Sequence, residues 1–139
     1  MQNPIPCTIK MIADRMKADG DARLKKHNMT FVQAMVLRHL RLHGGTATQK
    51  QLEDDFKVSH PTIVGIIARM ENNGHVRSYT DCNDRRQKIV EMTEAGNAME
   101  ETIHSDIIER DRKLVDGLSE QEVAELNRML EIIYRNLQS

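Results

Sequence analysis

The sequence has no tryptophan and only four aromatic side chains, Phe31, Phe56, Tyr79 and Tyr134. So few rings argue against the stacking platforms that hold single-stranded nucleic acid. They also leave the core to Leu, Ile, Val and nine Met, a mix that suits helix packed on helix. Cys7 and Cys82 are too few for a disulfide framework, and both are expected to be reduced thiols. No run approaches the roughly 18 apolar residues that a membrane span needs. The start MQNPIPCTIK carries neither a basic leader nor an apolar stretch, so a cytoplasmic protein without a membrane partner is expected. A Gly-x-Ser-x-Gly elbow, a phosphate-binding loop, a dinucleotide fingerprint and a paired-cysteine motif are all missing, so neither an enzyme nor a cofactor is expected.

What is present is one compact domain's worth of chain: 139 residues, 39% apolar and 29% charged, within the globular range. The net charge of −1 at first argues against a polyanionic partner. Its distribution reverses that reading. Residues 1–55 carry nine basic and six acidic groups, residues 56–92 six and four, and residues 93–139 five and eleven. A cationic front and an anionic tail assign different tasks to the two ends.

Residues 9–26 hold Ile9, Ile12, Met16 and Leu24 in an imperfect helical stripe that weakens at Asp19, Gly20 and Asp21. Thr30 with Gln33 forms a capping box, and Phe31, Ala34, Met35, Leu37 and Leu40 then mark one face of a helix over 31–43. A second box, Thr48 with Gln51, opens a two-turn helix to Phe56. Ser59 caps the next helix, where Ile63, Ile66, Ile67 and Met70 recur at the spacing of one buried face and leave Thr62, Gly65 and Arg69 outside. Pro61 is tolerated in the first turn. After Asn72, Asn73 and Gly74, the runs HVRSYT and QKIVEM read as two short strands about the turn DCNDRR. Two helices on a tight turn followed by a hairpin are the parts of a winged helix-turn-helix.

Thr93 caps a long helix from Glu94 to about Val115, and Ser119 with Glu122 opens a last one bearing Val123, Leu126, Leu130, Ile133 and Leu137. The winged core is too small to cover both, so a second copy of the chain is the simplest cover. The expected fold is therefore mainly α: a winged helix-turn-helix over 29–92 with a two-stranded wing, and a helical dimerisation region over 1–28 and 93–139.

Positions 58–96 add specific motifs: Met70, Glu71, Asn72, Asn73, Gly74 at the end of the fourth helix, then Asp81, Asp84, Arg86 in the turn, then Met92, Thr93, Gly96. Together they closely resemble the MarR family of bacterial regulators, and the helix order matches across nearly the whole chain. The resemblance implies a homodimer that binds double-stranded DNA at a pseudo-palindromic, inverted-repeat operator, usually as a repressor, and that often answers to a small-molecule effector. Two recognition helices would then lie about one helical turn of DNA apart, roughly 34 to 36 Å.

On this reading Ser59 caps the recognition helix and offers its first-turn amides to a phosphate, while His60, Pro61 and Thr62 enter the major groove. Family members often carry a hydroxyl residue and an Arg or similar donor where this chain has Val64 and Gly65. Base contacts are correspondingly fewer, and Gly65 permits close approach to the groove. Arg69 and Arg77 are expected on phosphates. Arg86 matches the family arginine that enters the minor groove, with Asp84 orienting it and Arg85 and Lys88 as further phosphate contacts. The rival reading is a winged-helix protein-protein adaptor that does not bind DNA. His39, His43 and His104 as a zinc set, and Cys7 or Cys82 as a redox sensor, are weaker readings, because no ligand-rich or thiolate-stabilising neighbours stand beside them in sequence.

Overall fold

A computed structural model describes residues 3–138. Six helices and three strands occur among them: α1 (Ile5–Lys26), α2 (Phe31–Leu42), β1 (Thr46–Thr48), α3 (Gln49–Phe56), α4 (His60–Asn72), β2 (Val76–Thr80), β3 (Lys88–Met92), α5 (Glu94–Leu114) and α6 (Glu120–Asn136). The chain divides into two compact units, one up to Ile103 and one from His104 onward.

Helix starts follow from side-chain chemistry. The first-turn amides of a helix lack partners, and a hydroxyl before them supplies one. Thr30, Thr48 and Ser119 each accept from the backbone N–H three residues on, and Gln33, Gln51 and Glu122 each reach back to the capping residue, completing three capping boxes. The Ser119 amide donates to Glu122, which holds that carboxyl below its ordinary value. Helix α1 differs from the stripe expected over 9–26: it is continuous from Ile5, and Asp19, Gly20 and Asp21 do not interrupt it. Pro4 sets its entry, and basic Arg23, Lys25 and Lys26 face the negative end of the helix dipole.

The first unit's core contains Val36, Leu37, Leu40, Leu52, Ile63, Ile67, Met70 and Val90, each less than 4% exposed. The four-residue stripe on α4 is buried as the spacing requires. On α2 the buried face is Gln33, Val36, Leu37 and Leu40, so Phe31 and Met35, expected on that face, are 63% and 41% exposed. Gln33 lies inward because its side chain is held back against the capping amide of Thr30 at 3.2 Å.

The wing also departs from expectation. It has three strands, not two, in the order β1-β3-β2, all antiparallel. Thr46, Ala47 and Thr48 pair with Glu91, Val90 and Ile89, while Val76 to Thr80 pair with Met92 back to Lys88. A three-residue strand is too short to show alternation, which is why it is invisible in sequence.

The junction of wing and α5 is the tightest point. The Thr93 hydroxyl donates to the Gly74 carbonyl at 2.6 Å and accepts from the Gly96 amide at 3.1 Å, and the Thr93 amide donates to the His75 carbonyl at 3.1 Å. A Cβ on Gly96 would stand 2.0 Å from that His75 carbonyl oxygen. The Met-Thr-x-x-Gly motif is thus a capped helix start pressed on the chain entering β2. His75 itself is 8% exposed, and its Nδ1 is buried without a hydrogen-bond partner.

Burial lowers the His75 pKa from 6.5, so the unfolded chain takes up a proton on this ring before the folded one does. The part of the stability set by this ring is therefore full above about pH 6.5 and falls as pH drops below it. Urea midpoints at pH 7.5 and 5.5 should show the loss, and His75→Asn should shrink the difference between them.

Glu100 is a second buried ionisable group, 3% exposed on α5. Arg38 donates to its Oε1 at 3.1 Å. Arg41 Nη1 lies 3.0 Å from Oε2 but off the donor direction, so that contact is a charge pairing and not a hydrogen bond. The two arginines of α2 therefore balance this carboxylate without saturating it.

The second unit is two helical segments about a turn at Gly117, closed by Asp116 and Leu118 amides donating to the Lys113 and Val115 carbonyls. Val123, Leu126 and Ile133 are half-buried, whereas Leu130 and Leu137 are 45% and 81% exposed. Among the described residues no helix is long and apolar enough to cross a membrane.

Candidate nucleic-acid interface

The helix-turn-helix is built by α3, the turn at Lys57 and Val58, and α4. Lys57 turns the chain with φ of 54°, a left-handed conformation, and the Val58 amide closes on the Glu53 carbonyl at 3.1 Å. Ser59 then starts α4. Its hydroxyl accepts from the Thr62 amide at 3.3 Å and lies 2.8 Å from the Thr62 hydroxyl, so the two side chains stand together at the helix tip. His60, Pro61, Thr62 and Val64 are exposed, Gly65 partly so.

Between α4 and the wing lies a cleft of about 660 Å³. It brings His60 together with Arg85, Arg86 and Lys88, four of the residues singled out from sequence, and adds Lys50 and Glu53 from α3. Glu53 was not legible as a site residue. It is 9% exposed, and its Oε1 lies 2.5 Å from His60 Nδ1. The one signal is spacing: Gln49, Leu52 and Glu53 form the buried side of α3, which puts an acid at a core position.

At the wing tip the turn is organised by two carboxylates. Asp81 accepts from the Asn83 amide at 2.9 Å. Asp84 accepts from the Arg86 amide at 3.1 Å, from Arg86 Nε at 3.1 Å and from Arg86 Nη2 at 3.4 Å. Those bonds from Arg86 hold the Asp84 carboxyl below its ordinary value. The arginine side chain is still 91% exposed, with its fork aimed by Asp84 and its remaining N–H groups outward.

Two expected phosphate holders stand elsewhere. Arg77 on β2 forks onto Glu91 across the strand pair, through Nε at 2.7 Å and through Nη2, and the Tyr79 hydroxyl donates to the other Glu91 oxygen at 3.2 Å. The Arg77 bonds are the main reason that the Glu91 carboxyl lies below its ordinary value. Arg69 does not line the wing cleft. It borders a separate depression with Lys25, Thr30 and Asn72. A Cβ built on Gly65 meets nothing nearer than Arg69 Nη2 at 4.0 Å, so packing does not require glycine there.

The discounted residues are also placed. The His39 ring stacks on His43 with centroids 4.1 Å apart, and its Nε2 lies 2.7 Å from Asp55. Among the described residues no group of three or more His, Cys, Asp and Glu is assembled to hold a metal. Cys7 and Cys82 are exposed free thiols.

A capped recognition helix, a tight turn before it and a hairpin with a clamped arginine after it define a winged helix-turn-helix protein. The model of the MarR family matches residues 27–87. Over its length the chain is similar to MepR, a transcription regulator of the Staphylococcus aureus multidrug efflux pump MepA, with a TM-score of 0.87 at 25% identity, covering 97% of this chain and 99% of that one. The S. aureus MepR–DNA complex matches with a TM-score of 0.72 at 25% identity, covering 98% and 99%. YusO from Bacillus subtilis shares the fold, with a TM-score of 0.85 at 16% identity over 94% and 92%. The chain thus shares the fold of winged-helix transcription regulators over its length and resembles the MarR family over residues 27–87.

Proposed function

We propose that this protein is a sequence-specific regulator that binds double-stranded DNA as a homodimer on an inverted-repeat operator, represses transcription in the cytoplasm, and releases DNA on meeting a small-molecule effector. The observation that carries the reading is the Arg86 guanidinium, 91% exposed at the wing tip yet clamped by Asp84. A cation pre-aimed in this way loses little freedom on entering a narrow minor groove, where the negative potential is concentrated.

In this reading Ser59 and the first-turn amides of α4 hold a phosphate, and His60, Pro61 and Thr62 face base edges beside the open surface at Gly65. Arg85 and Lys88, in the same cleft as Arg86, hold the backbone, as does Arg69 from the other flank of α4. Arg77 reaches a phosphate only by sharing or leaving Glu91. The MepR–DNA complex supports DNA as the partner. Residues 1–28 and 93–139 serve as the dimerisation region. Ile5, Ile9, Ile12 and Met16 on α1, and Ile108, Leu114 and Ile132 in the C-terminal helices, are each at least 40% exposed in the single chain and gain a cover in the pair.

The test is binding of the purified protein to genomic fragments at rising salt. A linear fall of log affinity with log salt is expected, losing about 10³-fold or more between 50 and 200 mM for six or more neutralised phosphates. No binding to any duplex at low salt would favour the adaptor reading.

A further inference from the structure

We propose that Glu53 is a positioning residue that fixes the tautomer of His60 and so decides which base edge the recognition helix reads. The inference rests on the DNA-binding reading above and deepens it at one residue. Glu53 is inside the protein with its side chain 10% exposed, while His60, at the first position of α4, is 69% exposed. The buried carboxylate meets Nδ1 at 2.5 Å. An ionised carboxylate only accepts, so Nδ1 must carry the hydrogen, and the other ring nitrogen, Nε2, is the one left to face outward.

The consequence is a reading atom whose polarity follows its protonation. With the ring neutral, Nε2 is an acceptor and suits the amino groups of adenine N6 or cytosine N4. With the ring protonated, Nε2 is a donor and suits guanine N7 and O6. Without Glu53, the neutral ring has free choice of tautomer and can present either a donor or an acceptor. The charged groups around the ring are Glu53 and Lys50 on α3, Glu71 on α4, and Arg85, Arg86 and Lys88 of the wing, which line the same cleft. The four cations among them raise affinity for any phosphate backbone but carry no base preference.

Two measurements test this. Nitrogen-15 shifts of the His60 ring in the free protein should show a protonated Nδ1 and a bare Nε2 when neutral, and Glu53→Ala should give a mixture of tautomers. Selection from a randomised duplex pool at pH 8 should return motifs that differ between the wild type and Glu53→Ala at one base pair per half-site, with a preference change of about three- to tenfold, the size of one hydrogen bond. His60→Ala should lose the preference at that base pair whether or not Glu53 is present. Glu53→Ala should blur the motif at that position alone, and Glu53→Gln, whose amide can accept from Nδ1 or donate to it, should restore it only in part.

Identical motifs for the wild type and Glu53→Ala, or a neutral ring protonated on Nε2, would overturn the role of Glu53 while leaving DNA binding intact. Failure to enrich any motif would overturn the DNA-binding reading itself, and the role of Glu53 with it.

Discussion

Gly96→Ala is expected to destabilise the protein by about 3 kcal/mol, the upper part of the range for overpacking a tight site. The added methyl would stand 2.0 Å from the His75 carbonyl oxygen and 2.9 Å from its carbon. Both are backbone atoms, so no side chain can swing aside. The strand start at Val76 or the α5 start must move, and the Thr93 amide bond to that same carbonyl goes with it. Thermal unfolding should show a midpoint lowered by roughly 10 °C for a domain of this size. Gly65→Ala is the control. Its Cβ meets nothing nearer than 4.0 Å, and alanine is the better helix former, so its midpoint should hold or rise by the equivalent of about 0.5 to 1 kcal/mol. Equal losses at both positions would show that replacing a helical glycine is costly in itself and that the contact at Gly96 is not the cause.

Arg86→Ala should weaken operator binding by about 1 to 3 kcal/mol and leave the unfolding midpoint unchanged, because a side chain 91% exposed supports nothing beneath it. Its salt slope should fall by about one phosphate. Asp84→Asn tests the clamp separately: the bonds from the Arg86 amide and Nε can survive on the amide oxygen, but the charge that holds the fork is gone. A smaller loss than for Arg86→Ala is expected, read in the same gel-shift titration. The pH dependence has a definite sign. Asp84 has its carboxyl held below the usual value, so the ionised clamp is complete above the ordinary carboxylate range and fails only as pH falls through the lowered value. Operator binding near neutral pH should therefore be insensitive to this group, and a pH effect between 6 and 8 belongs to histidine.

Local signals in the sequence proved reliable and long-range ones did not, for a physical reason. A capping box is a contract between residues three apart, so Thr30 with Gln33, Thr48 with Gln51 and Ser119 with Glu122 could be read directly. The Asp84–Arg86 clamp spans two residues and was equally legible in the motif. The Arg77–Glu91 fork depends on the register of β2 against β3, which places those two residues opposite each other. The Glu53–His60 pair depends on how α4 leaves the turn at Lys57. Neither geometry is written in a spacing. Phe31 and Met35 misled because apolar periodicity identifies a stripe without saying what covers it.

Thr48 is where β1 ends and where α3 is capped, and it sits opposite Ile89 of the wing. One residue thereby rivets the hairpin to the scaffold that carries the recognition helix. Movement of the hairpin is coupled to movement of α3 through a residue that both share. On the proposed reading of an effector-responsive dimer, variants that uncouple effector from operator are expected to map outside residues 46–92.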